Sequence, residues 1–129
     1  MTRRVTMAAL LAIGVAACSG GASGRETFTD PATPIEMSRG AEFDIALKSN
    51  QSTGFQWVLV DSAALSPVRF VRKKYVVPRE HRDNNGAGGT ETWTFATPEP
   101  GQATINLVYK RPFETTPPTE TATFRVRVR

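Results

Sequence analysis

The chain of 129 residues is 40% apolar and 22% charged, which fits one small folded domain and indicates neither a disordered chain nor a multi-span membrane protein. Sixteen basic residues against 12 acidic ones give a formal charge of +4. Arg3 and Arg4 lie in a segment that we expect to be removed, which leaves 14 basic residues and a charge of +2. This balance, with the basic residues scattered along the chain, predicts no nucleic-acid binding.

The N-terminus has the pattern of a bacterial lipoprotein export signal. Two arginines precede an apolar stretch over 7–15 that is too short to span a bilayer, and Val15 to Cys18 (VAAC) resembles a lipobox. We expect residues 1–17 to be a signal peptide and Cys18 to carry the lipid that anchors the protein to the membrane. An ordinary secretory peptide is the alternative. Cys18 is the only cysteine, so the mature domain is expected to have no disulfide.

Residues 18–33 are predicted to be a flexible tether, because the segment after Cys18 (SGGASG) has no apolar periodicity and is rich in glycine and serine. Cys18 is followed by Ser19 rather than by an aspartate, which in lipoproteins of this kind favours location in the outer membrane. We expect the domain to face the periplasm.

Residues 34–129 alternate apolar and polar side chains with a period of two, which predicts β-strands and no substantial helix. A short helical turn is expected near 63–65. The alternation predicts an all-β, immunoglobulin-like antiparallel sandwich of about seven strands without the Cys…Trp…Cys disulfide pattern. The strands are expected at 35–37, 42–48, 55–59, 68–77, 90–96, 105–109 and 124–129.

Three unusual connections are expected at one end of this sandwich. Successive antiparallel strands run in opposite directions, so alternate connections share an end. These are the BC, DE and FG loops of such a fold, and we name them L1 (50–54), L2 (79–89) and L3 (111–118). The connections at the other end resemble plain turns. Such a polarised arrangement on a rigid scaffold is typical of a binding surface.

The residues of these loops resemble the characteristic motifs of one protein family. L1 with the following residue reads NQSTGF, L2 ends GAGG, and L3 begins RPF. Chagasin-type inhibitors of papain-like cysteine proteases have an Asn-Pro-Thr-Thr-Gly-aromatic loop, a Gly-x-Gly-Gly loop and an Arg-Pro-Trp loop in this order. The resemblance covers roughly residues 35–128. It implies a reversible protein inhibitor that occludes the protease cleft with the residues Asn50, Gln51, Ser52, Thr53, Gly54, Phe55, Gly86, Ala87, Gly88, Gly89, Arg111, Pro112 and Phe113.

Within this resemblance, Thr53 is implied to lie close to the catalytic cysteine of the protease, L2 along the non-primed side of the cleft, and Phe113 on the primed side. Three residues depart from the family. Gln51 stands where the family usually has proline and Ser52 where it has threonine, which loosens the preset backbone of L1. Phe113 replaces tryptophan, which keeps an aromatic face but loses area and a donor.

Each feature also has an alternative interpretation. L1, taken alone, is a tight turn without a binding role, L2 is a flexible hairpin, and Phe113 is a core residue that folds back over the end of the sandwich. The whole chain would alternatively be a non-inhibitory surface lipoprotein that binds envelope or partner proteins. An enzyme is not expected, because His81 is the only histidine and the sequence has no metal-ligand cluster. We expect a monomer without cofactor or metal.

Overall fold

The computed structural model describes residues 25–82 and 86–129, which form eight β-strands and three short 3₁₀ helices. The strands are β1 (Glu26–Phe28), β2 (Ile35–Met37), β3 (Ala41–Ser49), β4 (Gln56–Val60), β5 (Arg69–Val76), β6 (Gly89–Thr97), β7 (Gly101–Lys110) and β8 (Glu120–Val128). The 3₁₀ helices are Gln51–Thr53, Ser62–Leu65 and Arg79–His81.

The strands form two four-stranded sheets that pack face to face. Sheet 1 has the order β1-β3-β6-β5 and sheet 2 the order β2-β8-β7-β4. Alternate side chains of each strand point into the space between the sheets, where they form one apolar core. Its completely buried members are Ile35, Phe43, Ile45, Phe95, Ile105 and Phe124. The predicted immunoglobulin-like sandwich and the predicted inward faces of the strands are confirmed.

The prediction of seven antiparallel strands differs from the structure in two ways. Four strand pairs are antiparallel, but β1 pairs with β3 and β2 pairs with β8 in parallel. The eighth strand, β1, lies in the segment 18–33 that was predicted to be a tether. Phe28 explains this difference, because its ring packs edge-on against the buried ring of Phe43 and so holds β1 to the sheet.

The N-terminal end of the described chain lies far from the three loops. Arg25 forms ion pairs with Glu42 (3.8 Å) and Asp44 (3.3 Å) near the start of β3, whereas L1 follows the end of β3. The predicted signal peptide, Cys18 and the first part of the predicted tether lie outside the described residues, as do residues 83–85 of L2. Within residues 25–82 and 86–129, no helix has the length and apolarity needed to cross a membrane.

Candidate functional site

L1 forms a tight turn that satisfies its own polar groups. The Thr53 and Gly54 amides donate to the carbonyl oxygens of Asn50 (3.2 Å) and Gln51 (3.0 Å). The Ser52 hydroxyl donates to the Asn50 side-chain oxygen (2.5 Å), and the Thr53 hydroxyl donates to the Asn50 carbonyl (2.6 Å). Gly54 ends the turn with φ = +85°, a conformation that costs other residues free energy. L1 is therefore a compact tip that exposes Ser52 and Thr53.

L2 lies directly against L1. The Asn50 side-chain amide donates to the Gly86 carbonyl over 2.8 Å, and a Cβ at Gly88 would lie 3.3 Å from the Ser49 carbonyl oxygen. Gly89 begins β6 beneath this contact, where a Cβ would overlap the Val76 carbonyl oxygen of the neighbouring strand. The glycines of L2 thus allow its backbone to approach both L1 and β5.

L3 is tied to L1 by Arg111. Its Nε donates to the Thr53 carbonyl over 3.0 Å, and its guanidinium lies 4.6 Å from the centre of the Phe55 ring, a cation–π contact. The same guanidinium forms an ion pair with Glu114 across the turn of L3 (3.3 Å). One planar side chain therefore fixes the tip of L1 relative to L3.

Phe113 is 74% exposed and lies over L1. A Cβ at Gly54 would approach the Phe113 ring to 3.0 Å, so the ring edge occupies the space that a side chain at Gly54 would need. The interpretation that Phe113 folds back as core is wrong, because the ring is mostly accessible to solvent.

Two tyrosines lie beneath L1 and were not predicted as site residues; Tyr109 supports the loop, and Tyr75 makes only long contacts with it. The Tyr109 hydroxyl accepts a hydrogen bond from the Asn50 amide (2.8 Å), and its ring stacks on Phe55. The Tyr75 hydroxyl accepts a longer bond from the Gln51 amide and donates to the Ser49 carbonyl, both at 3.4 Å. Period-two alternation assigned Tyr109 to a strand, but it gave no sign that the hydroxyl reaches the loop.

L1, L2 and L3 therefore meet at one end of the sandwich, as the strand alternation predicted. L1 is not an isolated turn, because side chains of L1 and L3 connect the three loops. The described ranges contain no group of three or more His, Cys, Asp or Glu side chains that could hold a metal ion. His81 lies exposed in a 3₁₀ turn of L2.

A rigid β-sandwich that displays three connected loops at one end defines a loop-based binding protein. The family described as Chagasin family peptidase inhibitor I42 matches residues 36–128 of the chain. The chain belongs to this family. Membership confirms the predicted function as a peptidase inhibitor and the prediction that the chain is not an enzyme. It gives no support to the alternative of a non-inhibitory surface module.

Individual proteins resemble the chain over most of their length. Amoebiasin-1 of Entamoeba histolytica is 29% identical over 96 residues, which cover 74% of this chain and 90% of the relative. Chagasin of Trypanosoma cruzi is 34% identical over 84 residues, which cover 61% of this chain and 73% of the relative. The solution structure of Amebosin superposes with a TM-score of 0.67 at 25% identity, covering 81% of this chain and 98% of Amebosin.

Proposed function

We propose that L1, L2 and L3 enter the active-site cleft of a papain-like cysteine protease and block it reversibly, with Thr53 nearest the catalytic thiolate. The observation that carries this proposal is that hydrogen bonds connect the three loops to one another. Asn50 bonds to Gly86, and Arg111 bonds to the Thr53 carbonyl. Loops that are already ordered lose little conformational entropy when they bind, so more of the contact energy appears as affinity.

L1 has the chemistry that such a cleft demands. A thiolate–imidazolium pair lies at the floor of the cleft, so a blocker needs a narrow tip whose peptide bonds are held away from the geometry of attack. The hydroxyls of Ser52 and Thr53 bond within the loop, and the turn closes at Gly54. The tip therefore resists the change of backbone shape that cleavage requires.

L2 and L3 extend the contact on either side of L1. Phe113 offers a large exposed aromatic face on a loop stiffened by Pro112, which is the kind of residue that dominates binding energy. Gly86, Ala87 and Gly88 present a backbone with little side-chain cover, which suits main-chain hydrogen bonding to an extended protease segment. The protein is proposed to act as a monomer without a cofactor.

The decisive experiment is an inhibition assay with residues 25–129, which contain both sheets, against papain. We expect inhibition at micromolar concentration or below. Thr53→Arg is expected to raise the inhibition constant at least about tenfold, because a long charged side chain cannot enter the cleft floor. Gln102→Arg at the opposite end of the sandwich is the matched control and is expected to change nothing. Equal effects at both positions would refute the loop-end binding surface.

We further propose that Cys18 carries a lipid that anchors the protein to the outer membrane, facing the periplasm. The Val15 to Cys18 motif supports this, and Arg25 lies near the end of the sandwich opposite L1. A tether that leaves from there keeps L1, L2 and L3 clear of the membrane. The full chain, expressed in a Gram-negative host with an alkyne fatty acid, is expected to be labelled and membrane-bound. Labelling of Cys18→Ser to the same extent would contradict the anchor.

A further inference from the structure

One carboxylate is completely buried beneath L1. The side chain of Glu91 is 0% exposed and lies on the inward face of β6, on the same side of the strand as Trp93 and Phe95. A buried carboxylate is costly unless donors surround it. Because Glu91 lies next to L1, its hydrogen-bond donors show which parts of the loop region it holds in place.

Four donors surround Glu91, two on each oxygen. Oε2 accepts from the Ser49 hydroxyl (2.5 Å) and from the Trp57 amide (2.9 Å). Oε1 accepts from the Trp93 indole (3.3 Å) and forms an ion pair with the Lys73 ammonium (3.1 Å). The carboxylate is thus fully paired in both charge and hydrogen bonds.

These donors include residues on both sides of L1. Ser49 is the last residue of β3, immediately before L1, and Trp57 is the second residue of β4, just after it. Oε2 of Glu91 therefore bridges the two strand ends from which L1 projects. Because these strands belong to different sheets, no backbone ladder connects them at this point. The carboxylate supplies that connection.

Lys73 completes the bridge from the other side. Its ammonium donates to the Gln56 side-chain oxygen and to the Trp57 carbonyl, both over 3.1 Å. β4 is the end strand of sheet 2, so the outward amide and carbonyl of Trp57 have no strand partner. Glu91 binds that amide and Lys73 that carbonyl, so side chains of sheet 1 fix the start of β4 in place.

We propose that Glu91, with Lys73, is a positioning residue that sets the spacing and rigidity of L1 for protease binding. This inference rests on the proposed role of L1 in the cleft. An ion pair whose carboxylate is completely buried, while the Lys73 side chain is 25% exposed, is a poor device for stability alone, since apolar residues of similar volume often stabilise as well. The Glu91–Lys73 pair is better suited to holding L1 in one geometry, because it is bonded to residues on both sides of that loop.

Asp44 offers a matched control in the same sheet. It is 8% exposed, accepts from the Thr94 hydroxyl (2.6 Å) and pairs with Arg25, but it lies near the opposite end of β3. Glu91→Gln and Asp44→Asn each replace a paired carboxylate by an amide of the same size. Both are expected to lower thermal stability, and the difference between them isolates positioning from stability.

The experiment uses residues 25–129, with papain inhibition and amide hydrogen exchange measured well below the melting temperature of each variant. Glu91→Gln is expected to raise the inhibition constant at least about tenfold and to speed amide exchange of Thr53 and Gly54. Asp44→Asn is expected to change neither. Ser49→Ala, which removes a single bond to Glu91, is expected to give a smaller change in the same direction and covers the case that Glu91→Gln does not fold.

Two results would overturn the proposal: unchanged inhibition and exchange in both Glu91→Gln and Ser49→Ala, or equal losses in Asp44→Asn. A wild-type domain that fails to inhibit papain would count against the proposed function instead. In that case the exchange rates of Thr53 and Gly54 still decide whether Glu91 positions L1, because they are measured without a protease.

Discussion

The two ends of the sandwich are built from the same strands, yet they are closed in different ways. At the end opposite the loops, the connection between β4 and β5 buries Leu65 and Val68 in the core. The turn before β3 is held to β6, where the Gly40 amide donates to the Thr97 carbonyl (2.7 Å). At the loop end, the 3₁₀ turn of L1 buries no residue. One end closes the core, and the other displays side chains.

The means of support differ accordingly. L1 is held by side chains that reach it from the strands and from L3, chiefly Tyr109, Arg111 and Glu91 through Ser49. Such supports fix a loop without covering it, so the tip stays both rigid and accessible. Substitutions at the loop end should therefore change binding more than stability, and substitutions at the opposite end should do the reverse.

Gly54 and Gly40 give the largest expected contrast. Both have positive φ, +85° and +83°, so alanine at either position costs about 1–2 kcal/mol of folding free energy. A Cβ at Gly54 would also press on Phe113 at 3.0 Å, whereas a Cβ at Gly40 meets nothing within 4 Å. Gly54→Ala is expected to weaken inhibition about 30-fold by moving both the tip of L1 and Phe113.

The measurements are urea unfolding and papain inhibition constants for both alanine variants. Gly40→Ala is expected to lose the same stability while keeping full inhibition. If Gly40→Ala weakened inhibition as much as Gly54→Ala, backbone strain anywhere in the domain would explain the loss, and the contrast between the two ends would fail.

Phe113 and Phe70 are both exposed aromatic residues, and they test the same contrast by truncation. Phe113→Ala is expected to weaken inhibition about tenfold with less than about 0.5 kcal/mol change in unfolding free energy, because the ring is 74% exposed. Phe70 is 40% exposed and packs against Trp93 and Phe95. Phe70→Ala is expected to cost about 1–2 kcal/mol of stability and to leave inhibition unchanged.

Stability by chemical unfolding and inhibition by papain assay again separate the two variants. A large loss of stability in Phe113→Ala would mean that the ring supports the fold. An unchanged inhibition constant in the same variant would remove Phe113 from the binding surface.

The sequence was sufficient for the sandwich because alternation is a local signal. Phe43, Ile45 and Phe124 lie on inward positions of their strands, and each is completely buried. The grouping of L1, L2 and L3 at one end followed from strand direction alone. β1 was missed because Glu26–Phe28 has only one large apolar side chain and so shows no alternation, and its pairing depends on a long-range contact between Phe28 and Phe43.

The supports beneath L1 were harder to predict, although one signal was present. Glu91 lies two positions before Trp93 and four before Phe95, so the alternation of β6 itself assigns a carboxylate to the buried face. Its partners Ser49, Lys73 and Trp57 come from three other strands, and no spacing along the chain indicates that they meet. Strand pairing within sheet 1 brings Ser49 and Lys73 next to Glu91, and the packing of sheet 2 on sheet 1 brings Trp57.

Gln51 gives the smallest expected effect and tests how much rigidity L1 already has. The family usually has proline here, and Gln51 lies in the first position of the 3₁₀ turn, where a φ near the value fixed by proline is expected. Gln51→Pro removes the 3.4 Å contact from its amide to the Tyr75 hydroxyl, which is too long to contribute much. Proline is expected to lower the inhibition constant by about two- to fivefold, because it restricts the free loop further. A rise of the inhibition constant would mean that the amide of Gln51, rather than the stiffness of the turn, matters for binding.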